Sequence, residues 1–96
     1  MGREKFTFRL YVADHASNSA QAAFNLGALC REYLADRHTI EVVDVFREPQ
    51  RALADGIFMT PTLVKLGPLP APVRIVGSLS ERVLLIQALG LPGEPE

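Results

Sequence analysis

Thr60-Pro61-Thr62-Leu63 constrains this 96-residue chain more than any other stretch. A proline has no N–H to give to a strand ladder, so Pro61 belongs at the start or edge of a strand, and the bond before it can be cis. Two short apolar runs follow, Thr62-Leu63-Val64-Lys65-Leu66 and Val73-Arg74-Ile75-Val76, parted by Gly67-Pro68-Leu69-Pro70-Ala71-Pro72. The prolines of that connector exclude helix and force a turn. The pattern predicts an antiparallel hairpin that Pro61 opens.

Upstream, Phe6-Thr7-Phe8-Arg9-Leu10-Tyr11-Val12 alternates and then turns apolar throughout, as a strand does on running into an interior. From Asn18 the period becomes helical. Ala20, Ala23, Gly27, Cys30 and Leu34, with Leu26, Leu29 and Tyr33, form an apolar stripe, and Asn18 with Gln21 supplies a start signal for a helix to about Ala35. Thr39-Ile40-Glu41-Val42-Val43-Asp44-Val45-Phe46 is β-branched and mostly apolar, which predicts an interior or partly covered strand parallel to the first. Glu48 to Gly56 predicts a two-turn helix, with Pro49 at its first position and Gly56 just past its end. Ser78-Leu79-Ser80-Glu81 matches a capping box, and Leu79, Val83, Ile86 and Leu89 form a helical face closed by Gly90 and Pro92. The order is β-α-β-α-β-β-α: an α/β fold with one mixed four-stranded sheet flanked by helices.

With 48% hydrophobic and 22% charged residues, residues 1–96 suffice for one domain, its ordered core from about 6 to 91. A net charge of −1 gives no general attraction to nucleic acid or to an anionic membrane surface. No apolar run approaches the roughly 20 residues of a membrane span, and no signal-peptide core follows Met1, so a cytoplasmic location is expected. The single Cys30 excludes an internal disulfide and a cysteine-based zinc site.

The element order and the Thr60-Pro61 pair resemble the thioredoxin fold. Redox members of that fold carry Cys-x-x-Cys where the first strand hands over to the first helix, whereas Tyr11-Val12-Ala13-Asp14-His15-Ala16-Ser17-Asn18 has no cysteine there. Cys30 sits mid-helix, away from the helix N-terminus that would lower its pKa, and reads as a small hydrophobe. His15 beside Asp14 is too small a set for a metal and reads as a solvated loop. His38 reads as an exposed turn residue and Met59 as core. Arg47, Arg51 and Arg74 are the charges suited to an interface. No residue set is assigned to catalysis, a cofactor or a metal.

Leu10-Tyr11-Val12-Ala13, Asn18-Ser19, Val43-Asp44-Val45, Pro49-Gln50, Thr60 to Lys65, Pro72 to Gly77 and Leu79-Ser80 fall in an order that resembles the KaiB family of circadian clock proteins over residues 6 to 90. The resemblance implies a non-enzymatic protein that binds KaiC, a double-ring ATPase with autokinase activity, and modulates its phosphorylation state. A sensor kinase carrying a related domain would compete for the same ring, and KaiA would be a further partner. It also implies a switch between a thioredoxin-like monomer and a tetrameric ground state whose C-terminal half is refolded. Pro61, Pro70, Pro72, Gly77 and Ser78 are the fold-switch or cis-proline candidates. The partner surface it implies is Phe46, Arg47, Glu48, Pro49, Gln50, Arg51 and Leu53, with Arg47 and Arg51 as its hot spots.

The chain departs from the family pattern at Pro68-Leu69-Pro70-Ala71-Pro72-Val73-Arg74-Ile75, where the proline run is diluted and a second arginine is missing. Gly77-Ser78-Leu79-Ser80 and Ala13-Asp14-His15-Ala16 also differ from it, and no long acidic tail follows Gly90. The helix-favouring run from Glu81 to Leu89 predicts the thioredoxin-like monomer over the tetramer. Two other functions fit the same features: a sensor-kinase-type input domain, and a thioredoxin-fold redox or transferase enzyme built on Cys30.

Overall fold

The computed structural model describes residues 4–14 and 16–92, in the order β1 (Phe6–Val12), α1 (Ser17–Tyr33), β2 (His38–Asp44), α2 (Pro49–Ala54), β3 (Thr62–Gly67), β4 (Val73–Val76) and α3 (Arg82–Leu89). The sheet runs β2-β1-β3-β4, with β1 parallel to β2 and antiparallel to β3, and β3 antiparallel to β4. His15 lies outside the described residues.

Side-chain alternation along the strands divides the interior in two. Phe6, Phe8 and Leu10 of β1 and Leu63 of β3 face one way, onto Leu26, Leu29 and Cys30 of α1 and Leu85 and Leu89 of α3. Tyr11, Val43 and Val64 face the other way, onto Ala52 of α2 and Ile57. The first is the main core, where each fully buried Leu or Phe contributes about 1.5–3 kcal/mol.

Four details differ from the sequence reading. The buried stripe of α1 is Ser19, Ala22, Leu26, Leu29 and Cys30, so Ala20 and Ala23 lie in solvent. Alanines recur on every side of this helix and leave the phase of the stripe ambiguous. Its start is Ser17 behind Ala16, with no side-chain cap from Asn18; the Ser19 hydroxyl instead accepts from the Ala13 amide at 3.0 Å. β2 is an edge strand that ends at Asp44 and leaves Val42 exposed, because only its β1 side is paired.

α3 departs most. Leu79 takes a left-handed φ of 64° and buries its side chain, so the chain turns there and the helix begins only at Arg82, behind Glu81, with no capping bond from Ser78 or Glu81. Val83, expected on the inner face, is 68% exposed. The C-terminus follows the expected pattern: Gly90 is left-handed, φ 66°, and Leu91 N–H reaches the Ile86 carbonyl at 3.0 Å.

Candidate partner-binding surface

The α2 surface rests on a row of residues that crosses the sheet. Pairing places Glu41 of β2 beside Arg9 of β1, Arg9 beside Val64 of β3, and Val64 beside Arg74 of β4, all on the face that α2 covers. Arg9 joins the row to the helix. Its Nε donates to Glu41 at 2.9 Å and its Nη1 to Asp55, just past the end of α2, at 3.1 Å. The buried Tyr11 hydroxyl donates to the same Asp55 carboxylate, and Arg74 donates to the carbonyls of Asp55 and of Gly56, the latter at 3.2 Å. The Tyr11 hydrogen bond first, and Arg9 after it, hold the Asp55 carboxyl below its usual range. Burial, reinforced by Asp55, pushes the Tyr11 phenol up.

The front of α2 is fixed by Arg51. Its guanidinium donates to both oxygens of Glu41, at 2.7 and 2.9 Å, and to Glu48 at 3.2 Å. Paired first with Arg51 and then with Arg9, the Glu41 carboxyl is pulled down to about 2. Pro49 occupies the first turn and Glu48 precedes it. Between these fixed ends the helix presents Leu53, 72% exposed, and the preceding loop presents Phe46, 73% exposed. Arg47 to Arg51 line a shallow hollow of about 350 Å³. Gln50 is solvent-exposed, and among the described residues the Arg47 guanidinium has no ion pair or hydrogen bond.

The expected site residues thus lie together on one surface, but Arg51 is not the free cation that its position suggested. Glu41, Arg9, Tyr11 and Asp55, which mount the helix, were missed. The polar alternation of Arg9 and Glu41 within apolar strands was the available signal, and it became meaningful only once the register set them side by side.

The remaining candidates lie elsewhere. The Thr60–Pro61, Leu69–Pro70 and Ala71–Pro72 bonds are cis, as is Gly67–Pro68. Gly77 has φ 121° and Ser78 accepts from the Asn25 amide at 2.9 Å. Met59 is not core: it is 61% exposed and lines a 220 Å³ cleft with Phe58, Val76 and Arg74. His38 is not a free turn residue but opens β2, its Nδ1 donating to the Leu34 carbonyl at 2.7 Å.

At the hand-over from β1 to α1, where redox thioredoxins carry their cysteines, Val12, Asp14, Ser17 and Val42 line an open hollow of about 300 Å³. Cys30 lies about three and a half turns along α1, fully buried, and burial pushes its thiol up to about 12. No group of three or more His, Cys, Asp or Glu side chains suited to a metal occurs among the described residues, and none of the described helices is long and apolar enough to cross a membrane.

Comparison with known proteins agrees with this architecture. Among solved structures, the N-terminal domain of Synechococcus elongatus SasA aligns with a TM-score of 0.71 and 22% identity, covering 94% of this chain and 88% of that domain. The thioredoxin Deadhead from Drosophila aligns with a TM-score of 0.71 at 15% identity, over 88% of this chain and 80% of its own. These likenesses show the thioredoxin-like fold. Circadian clock protein KaiB3 of a Synechocystis species is 41% identical over 88 residues, 88% of this chain and 84% of the relative. Circadian clock oscillator protein KaiB of Gloeothece citriformis is 38% identical over 90 residues, 93% and 83% of the two chains. The KaiB domain family model matches residues 9–91, from the middle of β1 to just past α3, and with those relatives it makes this chain a member of the KaiB family of circadian clock proteins.

Proposed function

We propose that this chain is a non-enzymatic docking protein that binds a KaiC-type ring ATPase and modulates its phosphorylation state, using the surface from Phe46 to Leu53. The observation that carries the reading is the pairing of a fixed helix with unpartnered surface groups. α2 is held at both ends by Arg51–Glu41 and Arg9–Asp55, while Phe46, Leu53 and the Arg47 guanidinium stay open. A patch already held in place loses little freedom on docking, and arginine beside exposed apolar side chains is the composition of an interface hot spot. KaiB-family membership supplies the class of partner. The thioredoxin-like monomer is the binding form in this reading. A refolded tetrameric state of the C-terminal half is its alternative, and a KaiA-type protein or a sensor kinase with a related domain is the co-partner or competitor.

The test is the affinity for a KaiC-like ATPase from the same host, measured with Arg47→Ala combined with Arg51→Ala, and with Arg31→Ala on α1 as control. Loss of binding in the double variant alone is expected. Wild-type binding by the double variant, with loss in the control, moves the interface to another face.

A further inference from the structure

Lys65 is 1% exposed and is the only fully buried charged side chain among the described residues. It follows Leu63 by two positions on β3, so it points into the main core beneath α3. Its Nζ donates to the Leu89 carbonyl at 2.8 Å and stands 5.4 Å from the centre of the Phe6 ring. Among the described residues no carboxylate lies within ion-pair distance of it; Glu4 acts on it only from farther off. An ammonium has three N–H bonds, and here one carbonyl and one ring face stand in for its water. Burying a charge on such terms is unfavourable, and desolvation accordingly lowers the Lys65 pKa against the opposing pull of Glu4.

What closes over the ammonium on this side is the last turn of α3. Leu89 supplies the acceptor, and a side chain at Gly90 would begin 3.7 Å from Nζ. The opposite end of the segment is also under tension. Leu79 is held in a left-handed conformation that a branched side chain rarely adopts, and the helix N-terminus has no side-chain cap. Holding the segment down are Leu85 and Leu89 in the core, the Asn25 bond to Ser78, and Arg82, which pairs with Glu32 and lies over the Tyr33 ring.

We propose that Lys65 is a built-in spring beneath α3: docking the helix holds the ammonium dry, lifting residues 77–91 returns it to water, and this segment therefore opens independently of the β1–β3 sheet. The device belongs to the isolated chain and does not rest on the proposed ATPase partner. It also predicts an inverted mutational effect. Removing the buried charge should tighten the helix even though a hydrogen bond is lost, because an apolar side chain of similar length fills the core without the cost of desolvating an ammonium.

The experiment is amide hydrogen exchange on the full chain, wild type against Lys65→Met, which keeps the stem length and removes the charge. The amides of Leu85 and Leu91, bonded to the carbonyls of Glu81 and Ile86, report on α3; those of Leu10 and Leu63 report on the sheet. The expected result is exchange about tenfold slower at Leu85 and Leu91 with the sheet amides unchanged. Unchanged or faster exchange at Leu85 and Leu91, or an equal change at Leu10 and Leu63, overturns the proposal. Lys65→Leu provides the same reading if the methionine variant does not fold.

Discussion

Arg51 and Glu41 meet in a two-pronged ion pair, Nη1 to Oε2 at 2.7 Å and Nη2 to Oε1 at 2.9 Å, and through it the first turn of α2 is fastened to the edge strand β2. The fork geometry directs the guanidinium along the sheet instead of outward. The pair thus serves the placement of the helix, and the neighbouring Arg47 guanidinium is left without an ion pair or hydrogen bond among the described residues.

Single substitutions should separate these two arginines. Arg47→Ala should weaken binding to the ATPase by roughly 2 kcal/mol, the scale of an interface hot spot. Arg51→Ala should change affinity by only about threefold, because its donors are already satisfied within the chain, and should instead loosen α2. Isothermal titration of both variants checks the first part, and exchange of the Ala52 and Asp55 amides the second.

Acid should release the same helix. The Glu41 carboxyl is held near 2 against an ordinary 4.5, so its contribution to stability is complete above 4.5 and is lost as pH falls from there through about 2. Thermal unfolding followed between pH 6 and pH 2 should show a decline that is reduced in Glu41→Gln. An identical decline in the variant would remove Glu41 from the acid response.

Cys30 should be inert in the folded protein. With its thiol near 12 the thiolate is scarce at pH 8, and the side chain is covered by the α1 and sheet residues around it. A thiol reagent should therefore react only on denaturation. Cys30→Ala should cost about 1 kcal/mol from lost packing and leave ATPase binding unchanged. Insulin or glutathione-disulfide reductase activity that disappears in this variant would revive a redox reading.

Gly77→Ala isolates a backbone effect. A methyl group there would meet nothing within 4 Å, yet φ is 121°, so the cost is conformational and should be about 1–3 kcal/mol by chemical denaturation. A neutral substitution would show that the turn between β4 and Leu79 relaxes freely.

Elements with strong local punctuation were legible in the sequence. Pro49 and Gly56 bracket α2 and Gly90 ends α3, because proline and glycine act through their own backbones, whatever surrounds them. Features decided by neighbours were not. Alanines left the stripe of α1 free to rotate, the apolar run of β2 fits an edge as well as a centre, and the Ser78–Glu81 box was undone by the left-handed turn at Leu79. On the proposed surface the same division holds: Phe46 to Leu53 is one continuous stretch of sequence, but the capture of Arg51 by Glu41 depends on a contact between residues ten apart.

The row Glu41, Arg9, Val64, Arg74 gives the sheet two faces that answer to different agents. Under α1 and α3 the contacts are mostly apolar, with the dry Lys65 ammonium among them, and dissolved ions do little to these buried groups. Under α2 a smaller apolar cluster is flanked by half-exposed charges, which are screened over about 10 Å at 0.1 M ionic strength. Ionic strength thus acts on the charged part of the α2 mount, as it does on the half-exposed Arg82–Glu32 pair between α3 and α1, while the apolar packing on both faces of the sheet stays as it is.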